Sequence, residues 1–390
     1  MTFVEDILSQ MDNVYKAQVA FLLSYFSYFF CFQGRGNLSN LHRYGGPHPR
    51  TAYRWFQRNF DYVDFNLRCL KSSGVINKQC ILALDATFLK KSGKRTHGLG
   101  WFHNGCSGRT ERGLELSVVA AVDMKENTAY ALDAQQILPK TDEGSLSQAL
   151  HQLEKNRESF QEVSSLLVVD GWYAKASFVK AVTSQGYTVI SKLRKDARLD
   201  YAYEGPYSGI GRPKLYDGPV DLSDLSRWEG SEYQGVRLYQ KRLSYRAFKR
   251  RLNVVHIKAA SSGRCLLLFS TDLSLSAQQI VQCYRARFQI EFLFRDAKQH
   301  TGLAQGQVPS KEAIRQHCNL SLAATNLLRL KDRKWQNTKR HRVISLEDWK
   351  RWHYNLFFLN RLFSIFGLKA DRDKSLIHIE KALNLGLIAA

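Results

Sequence analysis

The sequence lacks the features that define several common protein classes. Its seven cysteines are scattered, odd in number and without a CxxC pair, which argues against a disulfide framework or a zinc module. The longest apolar run starts at Val19 and is broken by Ser24 and Ser27, so it falls short of the ~20 residues that span a bilayer. The N-terminal MTFVEDILSQ is acidic where a signal peptide would be basic. These absences predict a cytoplasmic protein without membrane association.

The chain has few acidic residues relative to basic ones, and this imbalance is the most informative feature of its composition. The chain has 57 Lys and Arg against 35 Asp and Glu, a net charge of +22, while 44% hydrophobic residues suffice for a core. Nucleic acid is the leading candidate for a polyanionic partner, because binding many phosphates requires many cations and releases counterions. A solvated basic surface is the alternative that charge alone leaves open.

The order of sequence patterns predicts a multidomain α/β protein. Three strands in meander followed by alternating helices and strands predict a mixed sheet of the ribonuclease-H type, also called retroviral-integrase-like. We expect the segment rich in Gly and Pro turns to form a separate antiparallel sheet. The predicted regions are a helical N-terminal region (1–75), a catalytic core (76–193), an inserted basic β subdomain (194–272), a core helix (273–308) and a helical C-terminal region (309–390).

Two short helical segments around residues 44–49, YGGPHP, have the outline of a helix-turn-helix. The second segment carries Arg50, Arg54 and Arg58, which we expect to contact DNA. A plain helical hairpin is the alternative.

A basic stretch dominates the predicted insertion. Residues 237–258 contain eight Lys or Arg and no acid. Phosphate contact is the favoured interpretation, and a solvent-exposed edge strand protected by cations is the alternative. The residues expected to grip DNA are Arg237, Lys241, Arg242, Arg246, Lys249, Arg250 and Arg251.

The stretch CYRARFQIEFLFRDAKQ, residues 283–299, predicts one uninterrupted helix with a polar face. At 100° per residue, five side chains fall within an arc of roughly 80°. They are Tyr284, Arg287, Glu291, Arg295 and Lys298. Asp296 points away and is predicted to be solvated. An ordinary salt-bridge stripe along the helix is the alternative.

Two further carboxylates stand at the predicted ends of apolar strands, Asp85 in ILALDATF and Asp170 in LLVVDGWY. A carboxylate in such a place is desolvated unless paired, and is often a ligand or a catalytic group. With Glu291 they would form an oxygen-rich site suited to Mg²⁺ or Mn²⁺. Two ions about 3.5 to 4 Å apart can activate an attacking oxygen and stabilise a leaving one at a phosphodiester. Asp123 and Asp133 rank lower, since Asp123 falls in a predicted turn.

Four of these residues carry a resemblance to a known family. Tyr284, Arg287, Glu291 and Lys298 match the signature Y-x2-R-x3-E-x6-K, and from Asp85 to Lys298 the chain resembles the bacterial transposases named after insertion sequence four. The resemblance implies a ribonuclease-H-like core, cut-and-paste movement of DNA and a bacterial cytoplasmic location. It also implies a triad of Asp85, Asp170 and Glu291 holding two Mg²⁺ or Mn²⁺ ions, with DNA ends contacted by Tyr284, Arg287 and Lys298.

The resemblance has one departure and leaves two alternatives. Relatives that open DNA through a hairpin place a tryptophan where this chain has Phe288, so a hairpin intermediate is not implied. We still expect Phe288 and Arg295 to lie against DNA, and a homodimer to hold the double-stranded transposon ends and target. A nuclease of the same fold that never joins DNA is one alternative, and a non-catalytic DNA-binding regulator is the other. The presence of all three acids argues against the regulator.

Overall fold

The computed structural model describes residues 1–139, 144–207, 209, 211–258, 265–336, 346–367 and 372–387. Parts of the predicted C-terminal region, at 337–345, 368–371 and 388–390, therefore lie outside the described residues. The helices are α1 (Thr2–Ser9), α2 (Lys16–Cys31), α3 (Leu38–Arg43), α4 (Pro49–Phe56), α5 (Tyr62–Ser72), α6 (Ser145–Lys155), α7 (Arg157–Gln161), α8 (Ala176–Ser184), α9 (Ala277–Ala286), α10 (Gln289–His300), α11 (Lys311–Gln336), α12 (Leu346–Phe366) and α13 (Arg372–Leu383).

The strands begin at Cys80. They are β1 (Cys80–Lys90), β2 (Gly100–Asn104), β3 (Arg109–Asp123), β4 (Thr128–Ile137), β5 (Leu166–Val169), β6 (Thr188–Lys192), β7 (Leu199–Ala202), β8 (Tyr216–Pro219), β9 (Glu229–Tyr233), β10 (Val236–Tyr245), β11 (Arg250–Lys258) and β12 (Cys265–Ser270). The short strands β2, β7, β8 and β9 were not predicted individually.

The helices before β1 form an aromatic cluster that continues into the core. Tyr25, Phe26 and Phe29 of α2 are fully buried, and Phe26 stacks on Phe65 of α5 with ring centroids 5.5 Å apart. Burial of several aromatic rings explains why the long apolar run is a core helix. Across the described part of the chain, the structure contains no helix with the length and apolar character needed to cross a membrane.

Helices α3 and α4 flank the predicted turn of the helix-turn-helix. The Asn37 side chain caps α3 by accepting a hydrogen bond from Asn40 N at 2.9 Å, and Pro49 begins α4. Arg50, Arg54 and Arg58 are all exposed, within α4 or just after it. Two short packed helices are therefore present, and DNA recognition by them stays a prediction.

A single hydrogen-bonded sheet of mixed direction runs through the chain. Its strand order is β2-β3-β1-β5-β6-β12-β11-β10-β7-β8, with β4 on β3 and β9 on β10. The pairs β1–β5 and β5–β6 are parallel, and the others are antiparallel. The expectation of a separate sheet for 194–272 is wrong, because β12 pairs with β6 through Phe269 and Ser191. The boundaries of the predicted regions stay a prediction.

The helix predicted over 283–299 is interrupted. Helix α9 ends at Ala286 and α10 begins at Gln289, with Arg287 and Phe288 between them. Their carbonyls accept hydrogen bonds at 3.0 Å from Ile290 N and Glu291 N, three residues on, so the backbone tightens by one turn of 3₁₀ type. The prediction of an uninterrupted helix is wrong because a sequence pattern of apolar residues does not reveal this local tightening.

Candidate active site

The sheet brings Asp85 and Asp170 side by side. Leu84 of β1 and Val169 of β5 are ladder partners, and each is followed directly by one of the two aspartates. Asp170 follows the last residue of β5 as expected. Asp85 lies inside β1, which continues to Lys90, so the expectation that it ends its strand is wrong. Parallel pairing of two apolar strands thus juxtaposes carboxylates that are distant in sequence.

Arg287 joins two of the predicted catalytic acids. Its Nη1 donates to Asp85 Oδ2 at 2.7 Å, and its Nη2 donates to Glu291 Oε1 at 3.1 Å. The Arg287 side chain is 11% exposed, against 20% for Asp85 and 43% for Glu291. Its Nε has no hydrogen-bond partner in the described chain. The position at the junction of α9 and α10 lets one guanidinium reach both the sheet and the helix.

Tyr284 links the third acid to this pair. Its hydroxyl donates to Asp170 Oδ1 at 3.5 Å, the long limit of a hydrogen bond, and the Arg287 guanidinium lies 5.8 Å from its ring centroid. We call the set of Asp85, Asp170, Glu291, Tyr284 and Arg287 the acidic centre. The structure therefore brings together three predicted acids and two of the signature residues.

Burial changes the pKa values of Asp85 and Tyr284 in the acidic centre. It raises the pKa of Asp85 to about 6, although the charge of Arg287 acts in the opposite direction. Burial also raises the pKa of Tyr284 to about 12, so its hydroxyl keeps its proton and remains a donor. A raised carboxyl pKa in a cluster of acids is typical of a functional site.

The carboxylate oxygens of the acidic centre are ligands that suit a divalent cation. The positively charged guanidinium of Arg287 already lies among them. Within the described ranges, the side chains of His, Cys, Asp and Glu form no group of three or more that is ready to hold a metal ion. The Arg287 guanidinium lies between Asp85 and Glu291 and pairs with carboxylate oxygens that a hard cation would use.

The remaining residues of the opening stretch lie in different surroundings. Lys298 is half-buried, and burial lowers the pKa of its amine, with an opposing contribution from Cys106 in the β2–β3 turn. Phe288 is 47% exposed and packs edge-on against Phe292. The Arg295 guanidinium lies over the Phe292 ring at 4.6 Å and pairs with Asp296 at 3.4 Å. Arg295 thus contacts its own helix in this structure.

Asp296 is not the solvated charge that helix geometry predicts. It is 16% exposed and forms an ion pair at 2.7 Å with Arg329 of α11. The partner lies 33 positions away in sequence, so the pattern of α10 alone could not reveal the pairing.

The two lower-ranked aspartates have structural partners. Asp123 is fully buried, pairs with Arg333 at 2.6 Å and accepts a hydrogen bond from Lys125 N at 3.0 Å. Asp133 is 3% exposed and accepts a hydrogen bond from Gln152 Nε2 at 3.0 Å. These partners explain both acids as parts of the fold.

The register of the sheet divides the basic stretch between two faces. Ladder partners share a face, and residues two apart on a strand do so too. Each strand from β1 to β10 has one residue that is the ladder partner of a residue on the next strand. In the order β1, β5, β6, β12, β11, β10, these residues are Ala83, Val168, Ile190, Ser270, Asn253 and Arg242. Arg242 therefore shares the face of Asp85, and so does Arg251, the partner of Ser244. By the same rule Arg237, Lys241 and Arg250 lie on the opposite face.

Two of the expected DNA contacts lie at the turn between β10 and β11. Arg246 forms a bidentate pair with Asp200 of β7 at 2.7 and 2.8 Å, so its guanidinium already has a carboxylate partner. Lys249 follows with a positive φ of 51°. The seven cations expected to grip DNA thus lie on both faces of the sheet and at this turn, because side chains alternate along a strand, and their contact with DNA stays a prediction.

A basic concavity was missed by the sequence interpretation. It has a volume of about 560 Å³ and lies between the loop after β1, the connection from α10 to α11 and the region before α3. The closely spaced cations of KKSGKR, residues 90–95, are a sequence signal that could have revealed this concavity. No pattern in the sequence indicates that Arg35 lies beside them.

Comparison with known proteins gives a family and two weak structural likenesses. The chain resembles a piggyBac transposase synaptic complex with hairpin DNA, with a TM-score of 0.43, 12% identity, and coverage of 100% of this chain and 83% of that chain. It resembles endonuclease V of Ciona intestinalis, in complex with a 24mer DNA containing an inosine followed by a ribo-adenosine, with a TM-score of 0.24 and 9% identity. That match covers 70% of this chain and 96% of the other. At these scores neither likeness assigns a function here.

The family assignment comes from sequence. No curated protein matches the chain. The family model described as Transposase DDE domain matches residues 76–327, well over half of the 390 residues, and this span includes the whole acidic centre. The chain therefore belongs to the family of proteins with a transposase DDE domain.

Proposed function

We propose that the chain is a transposase that cuts DNA at transposon ends and joins the freed 3′ hydroxyl to target DNA. The observation that carries the proposal is the acidic centre, in which Arg287 contacts Asp85 from a distance of 202 positions in sequence. Three acids and two signature residues meet there, inside the span of the transposase DDE domain. The same features support the finer resemblance to the insertion-sequence-four transposases and a ribonuclease-H-like core.

Transposase DDE domains generally use divalent metal ions. Asp85, Asp170 and Glu291 would hold Mg²⁺ or Mn²⁺ in this chain, since carboxylate oxygens are the ligands that these ions prefer. Two bound ions would activate the attacking oxygen and stabilise the leaving oxygen of the phosphodiester.

The chain's own residues supply orientation and DNA contact. The Tyr284 hydroxyl donates to the Asp170 carboxylate at 3.5 Å and would help to orient it. Arg287 can present a planar fork to a carboxylate or to a phosphate, whereas Lys298 offers a single point charge. Exposed Phe288 lies beside the acidic centre and can pack against a DNA end.

Duplex DNA is the proposed partner, and its path includes the sheet face that carries Asp85. Arg242 and Arg251 lie on that face and are exposed. Strand spacings of about 4.8 Å, five to β10 and four to β11, put Arg242 roughly 24 Å and Arg251 roughly 19 Å from the strand of Asp85. We propose the exposed arginines Arg50, Arg54 and Arg58 as contacts that discriminate end DNA from random DNA.

A homodimer is the proposed active form, because moving a segment of DNA requires both of its ends to be held. The two copies would each engage one end. Sedimentation of the protein with and without end DNA tests this, and a strictly monomeric complex that joins both ends would contradict it.

The test of function uses the DNA that flanks this reading frame. We expect purified protein with Mg²⁺ to cleave at matched inverted repeats and to join a pre-cut end to a supercoiled plasmid. Hydrolysis without joining would favour the nuclease alternative. Specific binding without cleavage would favour the regulator, and Asp85→Asn protein is the matched control for contaminating nuclease.

A further inference from the structure

The basic concavity is built by three separated segments. We call the set of Arg35, Lys90, Lys91, Lys94 and Arg95 the basic cleft. Arg35, Lys90, Lys94 and Arg95 are exposed, and no Asp or Glu is among the described residues that line it. Glu111 reaches one edge and pairs with Lys90 at 3.2 Å. At least three exposed cations there lack a carboxylate neighbour in the lining.

The loop that carries these cations is fixed at both ends. Lys91 Nζ donates to the carbonyls of Ala304 at 3.0 Å and Gly306 at 2.7 Å. At the other end His97 N donates to Pro309 O at 2.8 Å. The loop is therefore held against the connection from α10 to α11, and its tip projects Lys94 and Arg95 into solvent.

Gathering like charges in one concavity is unfavourable unless an anion binds there. The cleft presents several exposed cationic side chains and no acidic one among its described lining residues, which suits phosphate oxygens. The end of β1, where the cleft begins, lies five strand residues beyond Asp85, about 17 Å at 3.3 Å per residue. That distance corresponds to roughly five steps of 3.4 Å along a DNA duplex.

We propose that the basic cleft binds the phosphate backbone of duplex DNA roughly five base pairs from the phosphodiester at the acidic centre. The proposal rests on the proposed function, because the duplex is taken to pass the acidic centre.

The test compares two double variants of equal charge change. Lys94→Gln with Arg95→Gln neutralises the tip of the loop, and Arg35→Gln tests the opposite wall. Lys155→Gln with Arg157→Gln is the control, since these exposed cations lie on α6 and α7 outside the cleft. Binding of end DNA is measured over a salt series, with ethylation interference to locate the contacted phosphates.

We expect the cleft variant to flatten the plot of log binding constant against log salt by about 1.8, or 0.9 for each lost phosphate contact. Interference should disappear at phosphates roughly five base pairs from the cut, and the control should match wild type. If the slope of the cleft variant is unchanged while the wild-type protein binds end DNA normally, the proposal that the basic cleft binds DNA is overturned and the proposed function is not. Absence of end-DNA binding by wild-type protein overturns the proposed function as well.

A second inference comes from the guanidinium inside the acidic centre. Arg287 is buried and satisfies two carboxylates, so it cannot offer its fork to DNA from this position. A divalent ion and this guanidinium need the same carboxylate oxygens. We infer that Arg287 is the resident counter-cation of the acidic centre and that it exchanges with metal, which frees it for a DNA phosphate. This inference also rests on the proposed function.

Metal affinity without DNA tests the exchange. If two cations compete for one site, removing the resident one strengthens binding of the other, and typical couplings are about 5- to 150-fold. We expect Arg287→Met to bind Mn²⁺ at least about fivefold tighter than wild type, measured by the loss of free Mn²⁺ signal in electron paramagnetic resonance. Arg285→Met is the control, because Arg285 is exposed and bonds to Gln234 instead.

Thermal stability gives a second measurement. Arg287→Met should melt below wild type without metal and should gain more than wild type when Mn²⁺ is added. Arg287→Lys, which keeps a cation, should fall between the two. Equal or weaker Mn²⁺ binding by folded Arg287→Met overturns the exchange alone. Absence of Mn²⁺ binding by both proteins overturns the proposed metal site.

Discussion

The acidic centre and the basic strands β10 and β11 belong to one sheet but use charge in opposite ways. In the acidic centre, Asp85, Glu291 and Arg287 are linked by ion pairs and Arg287 is buried. Along β10 and β11 the cations alternate between two faces, and Arg242 and Arg251 remain exposed. Charges that neutralise one another inside a fold are arranged for chemistry or stability. Charges left on a face are available to a partner, and only one face of this sheet carries Asp85.

Removing a carboxylate from the acidic centre should have the largest effect. We expect Asp85→Asn, Asp170→Asn or Glu291→Gln to reduce cleavage by about a thousandfold or more, because each would remove a metal ligand. Binding of end DNA should be retained, since the cations on the sheet face remain. Gel-based cleavage and fluorescence binding assays on the same DNA measure both, and full cleavage by any of the three variants would contradict the assignment.

Asp123→Asn should affect stability instead of chemistry. This acid is fully buried against Arg333, so losing its charge should lower the free energy of unfolding by about 2 kcal/mol. Cleavage per folded molecule should stay near wild type. Urea denaturation and cleavage at low temperature separate the two effects, and a cleavage defect as large as that of Asp85→Asn would move Asp123 into the active site.

Arg287→Lys and Lys298→Arg sharpen the contrast within the signature. A lysine offers a DNA phosphate a single point charge where the guanidinium fork can make two hydrogen bonds, so Arg287→Lys should lower strand transfer by about tenfold. Lys298→Arg keeps a cation and should be tolerated better. Strand transfer and Tm are measured together, and a stability loss with full activity would reduce Arg287 to a structural ion pair.

Neutralising one face of the basic strands at a time should have the smallest effect. Arg242→Gln with Arg251→Gln should flatten the salt dependence of DNA binding by about 1.8, because both lie on the face of Asp85. Arg237→Gln with Lys241→Gln, on the opposite face, should change it little. Equal effects from the two pairs would mean that DNA does not follow the face of the acidic centre.

Local patterns in the sequence predicted the elements that surround the acidic centre better than their assembly. The apolar runs before Asp85 and Asp170 predicted β1 and β5, and the helical pattern assigned to 273–308 predicted the helices found there. The arrangement of Asp85, Asp170 and Glu291 as catalytic residues stays a prediction, although the first two lie on neighbouring strands.

Long-range pairing explains what sequence could not supply. Whether β12 pairs with β6 or begins a new sheet depends on hydrogen bonds between segments far apart in sequence. The face on which Arg242 lies depends on register through five neighbouring strand pairs, and a shift of one residue would reverse it. The tightening at Arg287 is local, but the ion pair with Asp85 that accompanies it is not.

The unbroken sheet has a consequence for how cutting position would be chosen. Hydrogen bonds continue from β1 through β12 to β10, so the basic strands cannot turn independently of the strands that carry the acids. A duplex held by Arg242 and Arg251 would meet the acidic centre at a fixed distance and at a fixed rotation about its own axis. One inserted base pair turns a duplex by about 34°, since a full turn takes 10 to 10.5 pairs. The position of the cut would then depend on its distance and rotation along the duplex from the segment held by Arg242 and Arg251, rather than on the bases at the cut itself.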